Sequence, residues 1–430
     1  MAASSLAIAA ILLITLGAGV WVAVSLLSVS FISLGVFRSL PVDALTAQSI
    51  FNTVTSPELA VVPLFIFMAE VLIQTKVTSS LFHGLTPWTT RLPGGLVHLN
   101  VIASTFFAAI CGSSAATTAA VGRISLPELA ARKYDQMLAM GSLAGAGTIG
   151  FLIPPSIIMI VYGVLSETSI LKLFMAGVIP GLLLALFFML YIAGWSLMNP
   201  SRVPPAAKHS WGERFRGLIT TLPIIGLILT VIGSMYTGWA SPSEAAGLGV
   251  GGALIIALLS GCLSLKSLND AALRTVRMTS MIGLIVAAAS LMSISMGYLG
   301  LPRYVADTIA SFQLSPITLM LVLLVTYAFL GCFLDGLSTI VLTLPITLPL
   351  VIGAGYDKIW FGIFIVVATE QAQITPPLGF NLFVIHNLTG EKISRIALAS
   401  FPFFLILCLF AILLILRPEI VLWLPNLPST

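Results

Sequence analysis

The chain has 430 residues, of which 58% are hydrophobic and only 8% charged, and its mean hydropathy is +1.11. Soluble domains carry about 25% charged residues, so there is too little polar surface here to coat a water-soluble globule; the chain reads as an all-α polytopic membrane protein. Its net charge of +4 is spread over loops, which excludes a nucleic-acid footprint.

In chain order, Leu6–Val36 is apolar, with no basic flank and no clear small-residue cleavage site, so no removable signal is expected. Leu6–Phe37 is too long for one tidy span of about 20 residues. Gly17 and Gly19 leave room for two short helices, and one span or two remains open. Residues 38–56 read as a polar connection. Leu59–Ile73 follows as a span bounded by Glu58 and Lys76, then an interfacial segment over 77–93.

Residues 94–126 carry an apolar run split at Cys111–Thr118, CGSSAATT. Small residues let backbones approach closely, and hydroxyls bond freed backbone groups. The spacing predicts a re-entrant hairpin with a Gly/Ser tip. A broken helix is expected over 136–164, interrupted at AGAGTIGFLIPPS, Ala144–Ser156. Proline removes a backbone donor and clashes with the preceding turn, so a helix cannot run undisturbed through Pro154–Pro155. In hydrocarbon, such freed carbonyls are tolerated only where protein or a water-filled cavity satisfies them.

Gly177–Met198 is another span. Residues 199–217 form the most polar connection, with Arg202, Lys208, Arg214 and Arg216. The second half brings spans near 218–239, 245–261 and 279–298, a hairpin near 315–346, a broken helix near 358–387 with EQAQITPPLGFN, and a last span near 398–416.

The halves repeat. Pro376–Pro377 follows Pro154–Pro155 by 222 residues (376 − 154), and the same offset aligns Thr117 with Thr339, Pro127 with Pro349, Tyr134–Asp135 with Tyr356–Asp357 and Pro180 with Pro402. A Tyr-Asp pair and four prolines in one register argue for duplication. The expected units are 1–198, a cytoplasmic connection 199–217, and 218–430. Lys and Arg favour cytoplasmic loops. Arg123, Arg132 and Lys133 follow the first hairpin, whereas its repeat partner keeps only Lys358; after the broken helices the bias reverses, with Lys392 and Arg395 in the second half. The repeats therefore read as inverted, the first hairpin entering from the cytoplasm and the second from outside.

Inverted repeats with paired broken helices belong to secondary transporters. At such breaks, carbonyls, hydroxyls and half-helix ends coordinate a cation such as Na⁺, while half-helix N-termini face an anion. Asp335, in the second tip, is either a cation ligand or a half-helix cap, since intramembrane carboxylates are costly and usually functional. Glu370 reads mainly as a structural group bonding across helices, with tuning of a cation site as the alternative. Arg123 either pairs a substrate carboxylate or marks the cytoplasmic end of the hairpin. Ser113, Ser114, Thr117, Ser338 and Thr339 either coordinate or pack helices, and Asn381 either contacts ligand or caps its half-helix.

Other motifs carry less. Cys111, Cys262, Cys332 and Cys408 form no CxxC pair and read as small hydrophobes. His83, His98, His209 and His386 have no metal-ligand spacing. Gly247, Gly249 and Gly252 satisfy G-x-G-x-x-G inside an apolar span, where the glycines serve helix packing. An intramembrane hydrolase built on Ser113 or Ser114 would need a base, and only His98 is near. No enzymatic activity is expected.

The stretches GSSAATTAAVGRISLPELAARKYD, AGAGTIGFLIPPSIIMIVYG, GCFLDGLSTIVLTLPITLPL and ITPPLGFNLFVI resemble the large permease subunit of tripartite ATP-independent periplasmic (TRAP) transporters, and the resemblance covers nearly the whole chain. It implies an inverted-repeat, elevator-type transporter of the bacterial inner membrane, with two re-entrant hairpins and two discontinuous helices. It implies two partners: a four-helix small membrane subunit, here expected as a separate chain, and a periplasmic substrate-binding protein. It implies Na⁺-driven uptake of a small organic acid, such as a C4-dicarboxylate or sugar acid, with no cofactor beyond the coupling ion. Carried onto this sequence, the Na⁺ candidates are Gly112, Ser113, Ser114, Thr117, Gly147, Thr148, Gly150 and Pro154 in the first half. In the second they are Asp335, Gly336, Ser338, Thr339, Gln373, Thr375 and Pro376. The substrate candidates are Ser114, Arg123, Ser338 and Asn381, although relatives often carry a small residue at the position of Arg123. The alternative is a stand-alone ion-coupled organic anion symporter that needs no binding protein.

Overall fold

A computed structural model describes residues 2–37, 41–75, 77–205, 209–311, 314–377 and 379–427, and every regular element among them is helical. Lys76 and Lys208 lie outside the described residues. In the first half the helices are α1 Ala2–Gly17, α2 Val22–Phe37, α3 Val42–Val54, α4 Val61–Ile73, α5 Val77–Thr89, α6 His98–Cys111, α7 Ser114–Ala131, α8 Gln136–Thr148, α9 Ile157–Ser166 and α10 Ile170–Met198. The second half holds α11 Trp211–Tyr236, α12 Pro242–Leu259, α13 Leu265–Leu299, α14 Leu301–Ser311, α15 Pro316–Leu330, α16 Gly336–Gly353, α17 Lys358–Gln373, α18 Phe380–Thr389, α19 Ile393–Leu416 and the short α20 Glu419–Leu422. Six of these are long and apolar enough to cross a bilayer, and α3 with the segment Pro57–Ile73, bent by 49°, makes a seventh.

Local chemistry starts these helices in matching places. Ser113 caps α7 and Asp335 caps α16; Asp135 caps α8 and Asp357 caps α17, each accepting from backbone N–H groups of the first turn. Both pairs stand at the 222-residue offset. α6 and α7 form one hairpin and α15 and α16 the other. α8 and α9 are the two pieces of the first broken helix, α17 and α18 those of the second. Both Pro-Pro bonds are cis.

Side-chain contacts fix the relative directions. Tyr191 meets Phe403 at 5.0 Å and Phe187 meets Phe410 at 5.9 Å, so α10 and α19, which correspond across the offset, run antiparallel. Gly141 and Gly145 of α8 face Ala399 and Phe403 of α19, so those two helices run parallel. The Tyr162 hydroxyl donates to Lys358 O at 2.6 Å, which seats the end of α9 beside the start of α17. The two halves are thus upside-down copies. One end of the bundle gathers Arg132, Lys133 and Arg395; Arg202 joins them through Asp135 at 3.4 Å. The positive-inside rule gives that end as the one expected to face the cytoplasm.

The core runs along α17, where every residue from Trp360 to Gln373 is buried. Trp360 stacks on Phe364 at 5.4 Å and donates to Leu414 O at 3.1 Å.

Four sequence expectations change. Residues 38–56 are not simply a connection. They contain α3, whose buried Thr46, Ser49 and Thr53 face inward and whose Ser49 reaches Ser290 of α13 at 3.4 Å; hydroxyl-rich packing hides such a helix from hydropathy. The interfacial segment 77–93 is helical through Thr89. The span at 279–298 is the inner part of a 35-residue helix, whose first turns carry Lys266, Asp270, Arg274 and Arg277. The first hairpin extends to Ala131, with Pro127 inside α7. Leu6–Phe37 resolves into two helices, with Gly19 at φ +76 between them.

Candidate functional site

The two tips and the two breaks meet. At the first tip α6 ends on Gly112 in the left-handed region, φ +55, which lets the chain reverse within two residues. Gly112 O accepts from Ile157 N at 3.4 Å, so the end of α6 abuts the start of α9. Gly150 is a second close approach: a methyl built there would lie 2.8 Å from Ser113 O and from Ser114 Cα. Only a glycine lets the first break press on the first tip.

Ser114 is the hub of this junction. Its hydroxyl lies 3.0 Å from Gly147 O, 3.1 Å from Glu370 Oε2 and 3.3 Å from Asn381 Oδ1. Asn381 is fully buried, and its amide donates to Ser114 Oγ at 3.0 Å and Ala144 O at 3.3 Å. The first tip is therefore surrounded by groups from the second half as well as its own.

The second tip shows the same plan with other residues. A methyl on Gly336 would sit 3.3 Å from Gln373 Nε2 and 3.2 Å from Ile158 Cδ1 of α9. Asp335 Oδ2 accepts from Leu337 N at 3.2 Å and Ser338 N at 3.3 Å. Of the two roles open for Asp335, the structure displays the cap. Thr339 donates to Asp335 O at 2.9 Å and Thr375 to Gln371 O at 2.7 Å. Ser338 and Thr339 are buried.

The sequence candidates separate accordingly. Gly112, Ser113, Ser114, Gly147 and Gly150 cluster at the first tip, and Gly336 and Gln373 touch at the second. Thr117 is buried with no partner for its hydroxyl, while Thr148 turns its own to Gly145 O at 2.6 Å. Pro154 is buried, whereas Pro376 and Pro377 are exposed, so the second break opens to the surface and the first does not. Arg123 is not brought to either tip. It is exposed, nine residues along α7 from Ser114, which at 1.5 Å per residue is about 13 Å. Glu370 bonds across helices, as its structural reading expected, and the partner is Ser114 of the first tip, 256 residues away.

Eight half-helix ends converge here. α7, α9, α16 and α18 present N-termini, linked through Gly112–Ile157, Ser114–Asn381 and Gly336–Ile158; α6, α8, α15 and α17 present C-termini. N–H groups and positive dipole ends suit an anion, and free carbonyls suit a cation. Among the described residues, no group of three His, Cys, Asp or Glu side chains could hold a metal ion.

The chain is similar to known proteins in sequence and in fold. The family model for the DctM component of the tripartite ATP-independent periplasmic transporter matches residues 7–420. The C4-dicarboxylate TRAP transporter large permease protein DctM of Pseudomonas aeruginosa is 32% identical over 381 residues, covering 88% of this chain and 89% of that one. The ectoine/5-hydroxyectoine TRAP transporter large permease protein UehC of Ruegeria pomeroyi is 31% identical over 382 residues, again 88% and 89%. In fold, the chain is similar to the crystal structure of the Alcanivorax borkumensis YdaH transporter, with a TM-score of 0.60 at 14% identity over 88% of each chain.

Proposed function

Because the chain belongs to the DctM family, the large permease component of tripartite ATP-independent periplasmic transporters, we propose that it imports a small organic acid across the bacterial inner membrane, driven by Na⁺. In this reading the acid arrives on a periplasmic binding protein, and a separate four-helix membrane subunit completes the transporter. The observation that carries the reading is the meeting of both tips with both breaks, which places carbonyl-bearing and amide-bearing half-helix ends at one centre. Carbonyls at the C-terminal ends take Na⁺, and the N-terminal ends of α7, α9, α16 and α18 hold the substrate carboxylate. Ser114, Ser338 and Asn381 line that centre.

The motion that fits is elevator-like. Tips and broken helices move as one body against a scaffold that includes α2–α4 and α11–α13. A tip closes on its break when Na⁺ fills the gap between them, and only the closed unit slides. Substrate choice among dicarboxylates, sugar acids and compatible solutes rests largely with the binding protein; the relatives' names span dicarboxylate and ectoine.

The test is uptake into proteoliposomes holding this chain and its small subunit, with the cognate binding protein, screened across organic acids with and without an inward Na⁺ gradient. Accumulation that needs both the gradient and the binding protein supports the reading. Accumulation without the binding protein favours a stand-alone symporter, and flux indifferent to Na⁺ overturns the coupling.

A further inference from the structure

The first tip is short of hydrogen-bond donors. Gly147 O, Glu370 Oε2 and Asn381 Oδ1 all lie within 3.3 Å of the Ser114 hydroxyl, and its single hydrogen serves one acceptor at a time. The Asn381 amide is turned to Ser114 Oγ and Ala144 O. Thr117 Oγ1 is buried without a hydrogen-bond partner, and Glu370 Oε1 has none of ordinary geometry, the nearest donor to its carboxyl besides Ser114 being the Phe151 backbone N–H. Glu370 is 1% exposed, and among the described residues no Lys, Arg or His pairs with it.

A buried carboxylate without a counter-charge is costly, and more so within a membrane. An oxygen-rich pocket without a cationic side chain is what a hard cation takes. Gly147 O, the Ser114 hydroxyl, Asn381 Oδ1 and the Glu370 carboxyl form such a donor set. We propose that Glu370, reaching across from the second repeat, is the charged ligand of the Na⁺ held at the first tip. This rests on the Na⁺-coupled reading above.

The second tip has no counterpart. The position equivalent to Glu370 is Thr148 (370 − 222), whose hydroxyl is bonded within its own helix. The second tip's carboxyl, Asp335, stands on the tip itself, in its own repeat, where its Oδ2 also caps α16. The two ion sites therefore differ chemically despite the repeat. Na⁺ at the first also ties α7 and α8 of one half to α17 of the other, so filling it stiffens both halves together.

The test measures Na⁺ binding apart from transport. The protein, with its small subunit, is placed in nanodiscs, and its thermal midpoint is followed against [Na⁺], with choline holding ionic strength. Glu370→Gln preserves the side chain's size and an acceptor for Ser114. It is expected to raise the half-saturating [Na⁺] at least tenfold, with no fall of the midpoint in choline, because an unpaired buried charge has gone. Glu370→Asp keeps the charge but withdraws it by one methylene, and several-fold weakening is expected; it stands in if the Gln variant does not fold. Wild-type Na⁺ dependence in either variant overturns the proposal alone. Absence of any Na⁺-dependent shift in the wild type overturns the Na⁺-coupled reading with it.

Discussion

Gly150→Ala tests whether contact between break and tip sets ion affinity. The added methyl would stand 2.8 Å from Ser113 O, 2.8 Å from Ser114 Cα and 2.9 Å from Ser113 C. All three are backbone, so no side-chain rotation relieves the clash. An ordinary contact needs roughly 3.5 Å or more, so tip and break must part by about 0.7 Å. Overpacking of this kind costs about 1–3 kcal/mol. The Ser114–Gly147 bond, 3.0 Å in the native chain, stretches past hydrogen-bonding range and forfeits about 0.5–1.5 kcal/mol more.

The two add to about 1.5–4.5 kcal/mol, and each 1.4 kcal/mol is about tenfold in an equilibrium constant. If the closed tip bears that penalty, the half-saturating [Na⁺] for uptake rises roughly tenfold or more. The assay is initial uptake into proteoliposomes against external [Na⁺], with membrane yield and thermal midpoint as controls for folding. Gly226→Ala, where an added methyl meets nothing within 4 Å, is the matched control and leaves the curve unmoved. A Gly150→Ala protein that folds normally and keeps the wild-type Na⁺ curve would refute the reasoning.

Three further outcomes are expected. Asp335→Asn keeps a competent helix cap, since Asn and Asp are similar at N-caps, but removes the charge; Na⁺ affinity should fall several-fold at near-normal stability, and an unchanged uptake curve would reduce Asp335 to its capping bonds. Arg123→Ala should leave the substrate KM within about twofold, because the side chain lies about 13 Å along α7 from Ser114; a KM raised tenfold or more would restore Arg123 as a substrate ligand. Cysteines placed at Arg202 and Arg216 should be silent to an external impermeant thiol reagent in intact cells and react once the membrane is opened; labelling from outside would reverse the orientation.

Much of the scaffold was legible because its signals are local. Pro154–Pro155 and Pro376–Pro377 forbid a continuous helix wherever they fall, and Gly112 permits a reversal that other residues resist. α3 and the outer turns of α13 were missed for the opposite reason. Their polar side chains are buried against neighbours or lie beyond the lipid, and hydropathy reads both as loop. α14 was missed as well: in Leu301–Ser311 the polar residues Arg303, Asp307 and Thr308 interrupt the apolar run.

The sequence by itself determined the membrane habit, the duplication and its inversion, and the four places where the backbone must break, since each follows from composition, spacing or the chemistry of one or two residues. Only the tertiary structure decided who stands at the first tip. Glu370 and Asn381 lie 256 and 267 residues from Ser114, and no spacing rule links them, because their meeting depends on how one inverted half packs against the other. The same packing left Arg123 outside, since a helix that delivers Ser114 to the centre carries a residue nine places later well away from it.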